Sequence, residues 1–430
     1  MNRLEGHKRI LVSWYSYAQY IPPFRLSDIQ VTLGPKSFPN QSVGPLDGFS
    51  PPGRFDLMPV LESLALPTEY DAVVVASDAS GTNQPLNLAA FDCPKVLFVG
   101  DTHHLDAPIR KLISYAKECA FDFILCGFNR QHLHWFIEAG FQNVAWLPGL
   151  VPNLSRPFLK NRRQEVCFFG QSGKYHPRRN HLLTEIDRLK AFPLVILQGQ
   201  PEMSADRYAS SAVSLNCSLN GDLNLRVFEI LAAGGCLLTD RLSPHAGLEL
   251  LLTEGKDYIG YDSVEECIEQ SRFLLKHEDI ALAISRAGYE LFNSQMRPEQ
   301  RARQLLDWVF HGRLDPRFRV TDFPRPRIGD RPTLTDRIQL YERLQELHRS
   351  KLSPTVLFTD DVPDIHVLDA LDLRHLRMTL AYDDQNGIPS KPAEISQRCR
   401  TIRHRDLPNT VWDCVVTRDG KMPRELRPLQ

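Results

Sequence analysis

The residues with the clearest chemical potential lie at the start of one helix. The run 223–240 has the spacing of an amphipathic helix that breaks at Gly234 and Gly235 into a short buried strand. Asn220 and Asp222 precede the apolar positions and are the predicted N-caps. The beginning of this helix therefore offers free backbone N–H groups and the positive end of a helix dipole, which together attract anions.

Three side chains in this helix could complete a ligand site. Asn224 and Arg226 stand in the first turn, where a phosphate would bind, and Glu229 follows one turn later. Glu229 could accept hydrogen bonds from the sugar hydroxyls of the same ligand. The alternative is an ordinary surface helix whose Arg226 and Glu229 form an ion pair in solvent.

A second polar cluster follows a buried strand. Asp101, His103 and His104 come directly after the predicted strand 95–100, so they should lie at the carboxyl end of a parallel sheet, where open α/β folds bind ligands. Imidazoles can exchange protons near neutral pH, and a carboxylate can orient them. These three residues are the predicted catalytic group; an exposed turn is the alternative.

A glycine-rich basic loop follows another predicted strand. Gly170 and Gly173 allow close approach of a ligand to the backbone, while Lys174, Arg178 and Arg179 supply positive charge for a diphosphate. The loop has neither the Walker motif nor the Gly-x-Gly-x-x-Gly spacing, which disfavours an ATPase and a dehydrogenase. The alternative is a solvated basic turn.

Arg130 begins a predicted helix after the strand that ends at Cys126. It could face a ligand cleft, or it could be a structural cap or one member of a surface pair. His132 and His134 lie two residues apart without a third ligand at metal-site spacing, so no metal site is predicted.

Composition restricts the class of protein. A length of 430 residues indicates two or three domains, and a net charge of −1 gives no basic field, so no nucleic-acid partner is expected. The nine cysteines include no Cys-x-x-Cys pair and are interpreted as reduced thiols. There is no secretory signal and no apolar run of about 18 residues, which predicts a cytoplasmic protein without a transmembrane segment.

Strands and helices alternate along the chain, which predicts parallel sheets. The segment from Pro22 to Gly53 is rich in proline and glycine and is predicted as a long loop. The other predicted strands are 10–14, 71–76, 95–99, 121–126, 144–147, 165–170, 194–197, 212–216, 355–358, 369–372, 377–380 and 410–416, and the other predicted helices are 109–119, 295–310 and 335–351.

The order of motifs from 223 to 266 resembles the C-terminal half of group 1 glycosyltransferases. Arg226-Val227-Phe228-Glu229 is followed by small residues, a strand, the pair Gly247-Leu248, a glycine loop, a strand ending in Tyr261-Asp262 and an acidic helix. This succession is similar to that of the bacterial family related to spore maturation proteins. The resemblance covers about 10–312 and implies the GT-B architecture, two Rossmann-like domains facing a cleft, with helix 295–310 crossing back to the first domain.

The resemblance also implies roles for individual residues. Glu229 would bind the ribose of a nucleotide-sugar, His103 or His104 would contact the transferred sugar, and Arg178 or Arg179 would bind the diphosphate. Many retaining relatives carry a second glutamate eight positions before Glu229. Here that position is Gly221, with Asp222 beside it.

These observations predict the domain plan and the activity. The predicted domains are an acceptor-side Rossmann-like domain (1–155), a nucleotide-sugar-binding Rossmann-like domain (156–312), a linker (313–332) and a small α/β appendage (333–430) of unknown role. The predicted activity is metal-independent, retaining glycosyl transfer from a nucleoside diphosphate sugar to an unknown acceptor, without a cofactor. The alternatives are a non-catalytic nucleotide-sugar-binding module and a partner-binding protein that acts through the appendage.

Overall fold

The computed structural model of the protein describes residues 8–14, 25–27, 29–35, 46–149, 155–173, 176–199, 201–320, 333–359, 377–382, 399–403, 412 and 414–416. We call residues 8–149 the first half and residues 155–297 the second half. The described helices are α1 (Leu57–Ser63), α2 (Pro108–Glu118), α3 (Leu133–Glu138), α4 (Pro177–Leu189), α5 (Pro201–Ser210), α6 (Leu225–Ala233), α7 (Val264–Lys276), α8 (Glu278–Leu291), α9 (Pro298–His311) and α10 (Leu334–Ser350).

The strands form parallel sheets. They are β1 (Arg9–Ser13), β2 (Ile29–Pro35), β3 (Gly48–Ser50), β4 (Gly53–Asp56), β5 (Ala72–Ser77), β6 (Asn83–Leu86), β7 (Lys95–Val99), β8 (Phe123–Cys126), β9 (Asn143–Trp146), β10 (Arg163–Phe169), β11 (Leu194–Leu197), β12 (Ser211–Leu215), β13 (Leu237–Asp240), β14 (Ile259–Tyr261), β15 (Thr355–Thr359), β16 (Arg377–Tyr382), β17 (Cys399–Arg403) and β18 (Cys414–Val416).

The first half is built on a seven-stranded sheet in the order β3-β2-β1-β5-β7-β8-β9, and β4 pairs with β6 separately. Every residue of β5 is buried, as expected where a parallel sheet is covered on both faces. The prediction of a long loop from Pro22 to Gly53 is wrong, because the described part of this range contains β2 and β3 of this sheet. Alternate apolar residues in β2 and the pairing of its backbone with β1 and β3 outweigh the loop-like composition around it.

The second half has a five-stranded sheet in the order β11-β10-β12-β13-β14. After it, α9 returns to the first half, where the Trp308 ring lies 4.9 Å from that of Phe123, edge to face. The structure therefore confirms the predicted α/β fold with two Rossmann-like domains. None of the helices in the described part of the chain is long and apolar enough to cross a membrane.

The C-terminal region forms a third parallel sheet, in the order β17-β16-β15-β18. Strands β15, β16, β17 and β18 take the positions that β1, β2, β3 and β5 have in the first half, where the order is β3-β2-β1-β5. The region therefore repeats the beginning of a Rossmann-like sheet. The predicted strand 369–372 lies outside the described residues. Helix α10 precedes this sheet, and its Tyr341 and Leu344 belong to the same apolar cluster as the core of the first half.

Candidate functional site

The site is built where loops after β7, β10 and β12 meet. Helix α6 begins after Asn224, which is its N-cap, so the predicted caps Asn220 and Asp222 are wrong. Asp222 instead accepts hydrogen bonds from the backbone N–H groups of Leu219 and Asn220, at 2.9 and 3.3 Å, and closes a tight turn before the helix.

The Asn224 side chain does not cap the backbone N–H groups at the start of α6. It makes no capping hydrogen bond. Its amide nitrogen and oxygen are both buried, and neither has a hydrogen-bond partner among the residues that the structure describes. Buried polar atoms are normally paired, so an amide in this state at a helix start is suited to binding a ligand.

Arg226 is fixed beside Gly170. Its Nε donates to the carbonyl of Phe169 and its Nη1 donates to Asn216 Oδ1, both at 2.8 Å, and its guanidinium lies 4.6 Å from the Phe168 ring centroid. A Cβ atom at Gly170, where φ is +152°, would lie 2.1 Å from Arg226 Nη2. The predicted pair of Gly170 and Arg226 is therefore brought together, and only glycine leaves room for the guanidinium.

Glu229 lies one turn further along α6 and is half-buried. It makes no hydrogen bond or ion pair with any described residue, and Arg226 instead donates to Phe169 and Asn216, so the surface ion pair with Arg226 is not formed. Burial raises the pKa of Glu229, and the charge of Arg226 opposes that rise. The carboxylate is thus available to accept hydrogen bonds from a ligand.

Two further arginines lie at the start of α4. Arg179 is buried and donates to the carbonyls of Gln171 and Cys217 at 2.7 and 3.0 Å; burial and the nearby charge of Arg226 lower its pKa to about 10. Arg178 donates to the carbonyl of Leu219 at 2.6 Å. Lys174 lies outside the described residues. A small pocket at this point is lined by His176, Pro177, Arg178, Arg179, Ser218, Leu219, His348 and Arg349.

The first half contributes the loop after β7. Asp101 accepts hydrogen bonds from the backbone N–H of His103, at 2.6 Å, and from the ring of His104. Burial would raise the pKa of Asp101, but the hydrogen bond from His104 and the proximity of both imidazoles bring it below the usual range. His104 is exposed, whereas His103 is buried. The loop therefore separates the predicted pair and directs His103 inward.

His103 faces the second half. Its Nε2 lies 3.9 Å from Asp222 Oδ2, and Gln131 Nε2 donates to the Gly221 carbonyl at 3.2 Å. Burial would raise the pKa of Asp222, but the neighbouring His103 imidazole, the backbone hydrogen bonds from Leu219 and Asn220 and the charge of Arg179 lower it, which favours the ionised carboxylate. The structure thus brings the predicted His103 and the turn at Gly221 and Asp222 together across the cleft.

Arg130 also joins the two halves, at a different point. Its Nη1 donates to the His245 carbonyl and its Nη2 to the Arg319 carbonyl, both at 3.3 Å, while its guanidinium lies 5.8 Å from the Trp146 ring centroid. The side chain is buried by these contacts. Within the described parts of the chain, no group of three or more His, Cys, Asp or Glu residues is placed to hold a metal ion.

The sequence analysis missed the contribution of α10. Tyr341 hydrogen-bonds to the ring of His132, Gln345 to His103, and His348 to Asn220. The signal was present, because these polar residues share a helical face with Leu344. Without tertiary information, however, such a face cannot be distinguished from a solvated one.

The buried imidazoles predict a stability that depends on pH. Burial lowers the pKa of His103 and of His132, so both are neutral in the folded state and bind protons more readily when unfolded. Stability is therefore complete above about pH 6.5 and falls below it, by at most about 1.4 kcal/mol per pH unit for each imidazole and only until the pH reaches the pKa of that imidazole in the folded state. We expect a lower urea midpoint at pH 5.5 than at pH 7.5. The difference should shrink in His132→Asn and persist in His181→Asn, which alters an exposed imidazole; equal differences in both variants would contradict this.

Comparison with known proteins bears on the second half. Residues 178–307 match the model of a family described as glycosyl transferase-like. The matched segment contains Arg178, Arg179, Asn224, Arg226 and Glu229. The match supports glycosyltransferase activity for this chain. No protein with a curated description matches the chain.

Several solved structures are similar to the chain. HepE of Anabaena, in complex with UDP, has 11% identity over 70% of this chain and 98% of its own, with a TM-score of 0.49. Sucrose-phosphate synthase of Thermosynechococcus elongatus has 10% identity over 69% and 97%, with a TM-score of 0.46. TarM of S. aureus has 11% identity over 56% and 54%, with a TM-score of 0.41. At these values no residue role is transferred to this chain.

Proposed function

We propose that this protein is a group 1 glycosyltransferase that transfers a sugar from a nucleoside diphosphate donor to an acceptor. The observation that carries the proposal is the start of α6. There the Asn224 amide has no described partner, the Arg226 guanidinium is fixed and the Glu229 carboxylate makes no described hydrogen bond. A nucleoside diphosphate supplies oxygens for the first two groups and ribose hydroxyls for the third.

The proposed donor site extends from α6 to α4. We place the diphosphate near Arg226 and Arg179, with Arg178 and the backbone at Gly170 completing its site; the sequence prediction adds Lys174, which lies outside the described residues. These fixed cations and the α6 dipole would stabilise the departing diphosphate, so we propose transfer without a metal ion. Transfer in the presence of EDTA tests this part. Retention of anomeric configuration, which the resemblance implies, is tested by proton NMR of the first-formed product.

On the first half, His103 is proposed to contact the transferred sugar, with Asp101 and His104 beside it. His103 Nε2 and Asp222 Oδ2 are 3.9 Å apart, so a sugar ring cannot lie between them unless they separate. Donor binding therefore requires the two halves to part. The same closeness, together with Gly221, favours a second candidate function, a nucleotide-sugar-binding module without transfer. Calorimetry distinguishes the two: tight nucleotide binding without turnover of any donor supports the module.

A thermal-shift screen against nucleoside diphosphates and nucleotide-sugars tests the proposed function. A ligand at 100 times its Kd should stabilise the folded state by about 2.7 kcal/mol and raise Tm. Glu229→Ala should raise the ligand concentration needed for the same shift about 10-fold or more, because ribose hydroxyls lose a half-buried charged acceptor. The control is Glu249→Ala, which removes an exposed carboxylate of the second half. Absence of a shift with every nucleotide would exclude a donor site here.

A further inference from the structure

A polar face of α10 reaches the cleft beside His103. Tyr341, Gln345 and His348 are spaced so that they share this face, and each side chain is at most 1% exposed. Helix α10 lies beyond the segment that matches the glycosyl transferase-like family. Burying polar groups is costly unless they form hydrogen bonds. The groups that bond to this face therefore indicate what the face does.

Helix α10 is attached to the half that carries His103. Glu342 accepts hydrogen bonds from the backbone N–H groups of Ile109 and Arg110, at 3.0 and 3.1 Å, and its second oxygen accepts from Arg110 Nε at 2.6 Å. Arg349 Nη1 donates to the carbonyl of His103 at 2.6 Å. Most of the described side-chain contacts of α10 are with the first half, whereas His348 contacts Arg178 and Asn220 of the second half, at 2.7 and 3.2 Å. We therefore expect α10 to stay beside His103 when the halves separate, with the two contacts of His348 lost.

The Gln345 amide fixes one side of the imidazole. Its Nε2 lies 3.2 Å from His103 Nδ1 and 3.2 Å from Tyr341 Oη. An amide nitrogen carries two hydrogens, one for each of these acceptors. The ionised Asp222 on the other side of the ring attracts the imidazole hydrogen to Nε2. Both neighbours therefore select the same form of His103, a neutral ring with Nδ1 as acceptor and its hydrogen on Nε2.

We propose that Gln345 is a positioning residue that holds His103 neutral, with its Nε2 hydrogen directed toward the donor sugar. The inference rests on the proposed function, since that function places the sugar opposite His103. His103 Nε2 is buried and has no hydrogen-bond partner within 3.5 Å among the described residues, so the hydrogen is available for a ligand oxygen. A glutamine is suited to this task because its amide does not titrate and, as an N–H donor, does not favour protonation of Nδ1.

Other charged groups also act on His103, and the test must separate them from Gln345. The groups that face it are Asp222 across the cleft, Asp101 and His104 in its own loop, His132 with its ring centroid 5.3 Å away, and Arg349 of α10. All of these remain unchanged when only residue 345 is substituted.

Nitrogen NMR of the full-length protein labelled in histidine tests the tautomer without any substrate. His103 is assigned by the signals lost in His103→Asn. We expect the Nε2–H form in the wild type. Gln345→Met keeps the length of the side chain without the donor, so the Nδ1–H tautomer should become detectable beside the Nε2–H form, which Asp222 still favours. Gln345→Glu places a carboxylate at Nδ1 and should raise the pKa of His103 by about one unit or more. An Nδ1–H wild type, or unchanged spectra in both variants, would overturn the proposal.

Kinetics with a donor found in the thermal-shift screen provides the second readout. Gln345→Met should lower kcat about 10-fold with the donor KM nearly unchanged, and Gln345→Glu should displace the pH profile upward. Arg343→Ala, on the exposed side of α10, should leave both unchanged. Should Gln345→Met fail to fold, Gln345→Glu and Tyr341→Phe still report on the same hydrogen bonds. If the wild-type protein shows no turnover, only the proposed function is contradicted. If folded Gln345→Met has a normal kcat, only the positioning role is contradicted.

Discussion

Deleting residues 333–430 is expected to destabilise the whole first half of the protein. Helix α10 contributes Ile338, Leu340, Tyr341 and Leu344 to the apolar cluster that also forms the core of that half. Full burial of one such side chain is worth about 1.5–3 kcal/mol. Their combined loss is therefore comparable with the total stability of an ordinary domain, about 5–15 kcal/mol.

The truncation also leaves polar groups without partners. Glu342 accepts two backbone hydrogen bonds at the start of α2, and Arg337 pairs with Glu138 of α3. Removing α10 leaves the carboxylate of Glu138, which is mostly buried, without that partner, which adds to the loss.

The measurement is thermal unfolding of the full-length and truncated chains at equal concentration. We expect the truncated chain to be recovered largely as aggregate, or with Tm lowered by roughly 10 °C or more. Arg343→Ala is the control, because this residue lies on the exposed side of the same helix. A truncated chain that unfolds cooperatively at the Tm of the full-length protein would contradict the prediction.

This expectation changes how the C-terminal region must be tested. Loss of transfer after deletion of 333–430 would not show that this region binds the acceptor, because the first half would itself be damaged. Point substitutions on α10 avoid the problem. They retain the apolar contacts of the helix while altering single hydrogen bonds at the cleft.

The local sequence pattern was sufficient to predict most of the strands and helices. The predicted strands 95–99 and 194–197 match β7 and β11, because short apolar runs bounded by turn residues have few alternatives. It was insufficient for β2, whose neighbours in sequence are prolines and glycines, because pairing with β1 is a long-range effect. The N-cap of α6 was misplaced for a similar reason: the Asp222 carboxylate is committed to a preceding turn that no local rule distinguishes from a cap.

The candidate site divides in the same way. Arg226, Gly170 and Arg179 could be predicted, since each lies in a loop or a first helical turn after a strand of one parallel sheet. The approach of His103 to Asp222 depends on how the two halves face each other. Gln345 depends on a helix that is 242 residues away in sequence from His103. Only the folded chain brings these groups together.

Gly247→Ala is expected to be the most damaging single substitution of a glycine at the junction of the halves. Gly247 has φ +86°, and a Cβ atom there would lie 2.6 and 2.8 Å from two carbons of the Trp146 ring. It would also lie 2.9 Å from Arg130 Cδ. Trp146 is fully buried and Arg130 is held by two carbonyls, so neither can move aside easily. Backbone strain of about 1 kcal/mol and overpacking of about 1–3 kcal/mol should together cost about 2–4 kcal/mol.

Gly255→Ala provides the matched control for this prediction. Its φ is +79°, similar to that of Gly247, but a Cβ atom there would meet nothing within 4 Å. It should therefore cost only the backbone strain, about 1 kcal/mol. Urea unfolding of the wild type and both variants separates the two contributions. Equal losses for Gly247→Ala and Gly255→Ala would mean that Trp146 and the segment around Gly247 separate at little cost, and that the junction between the halves is looser than these contacts require.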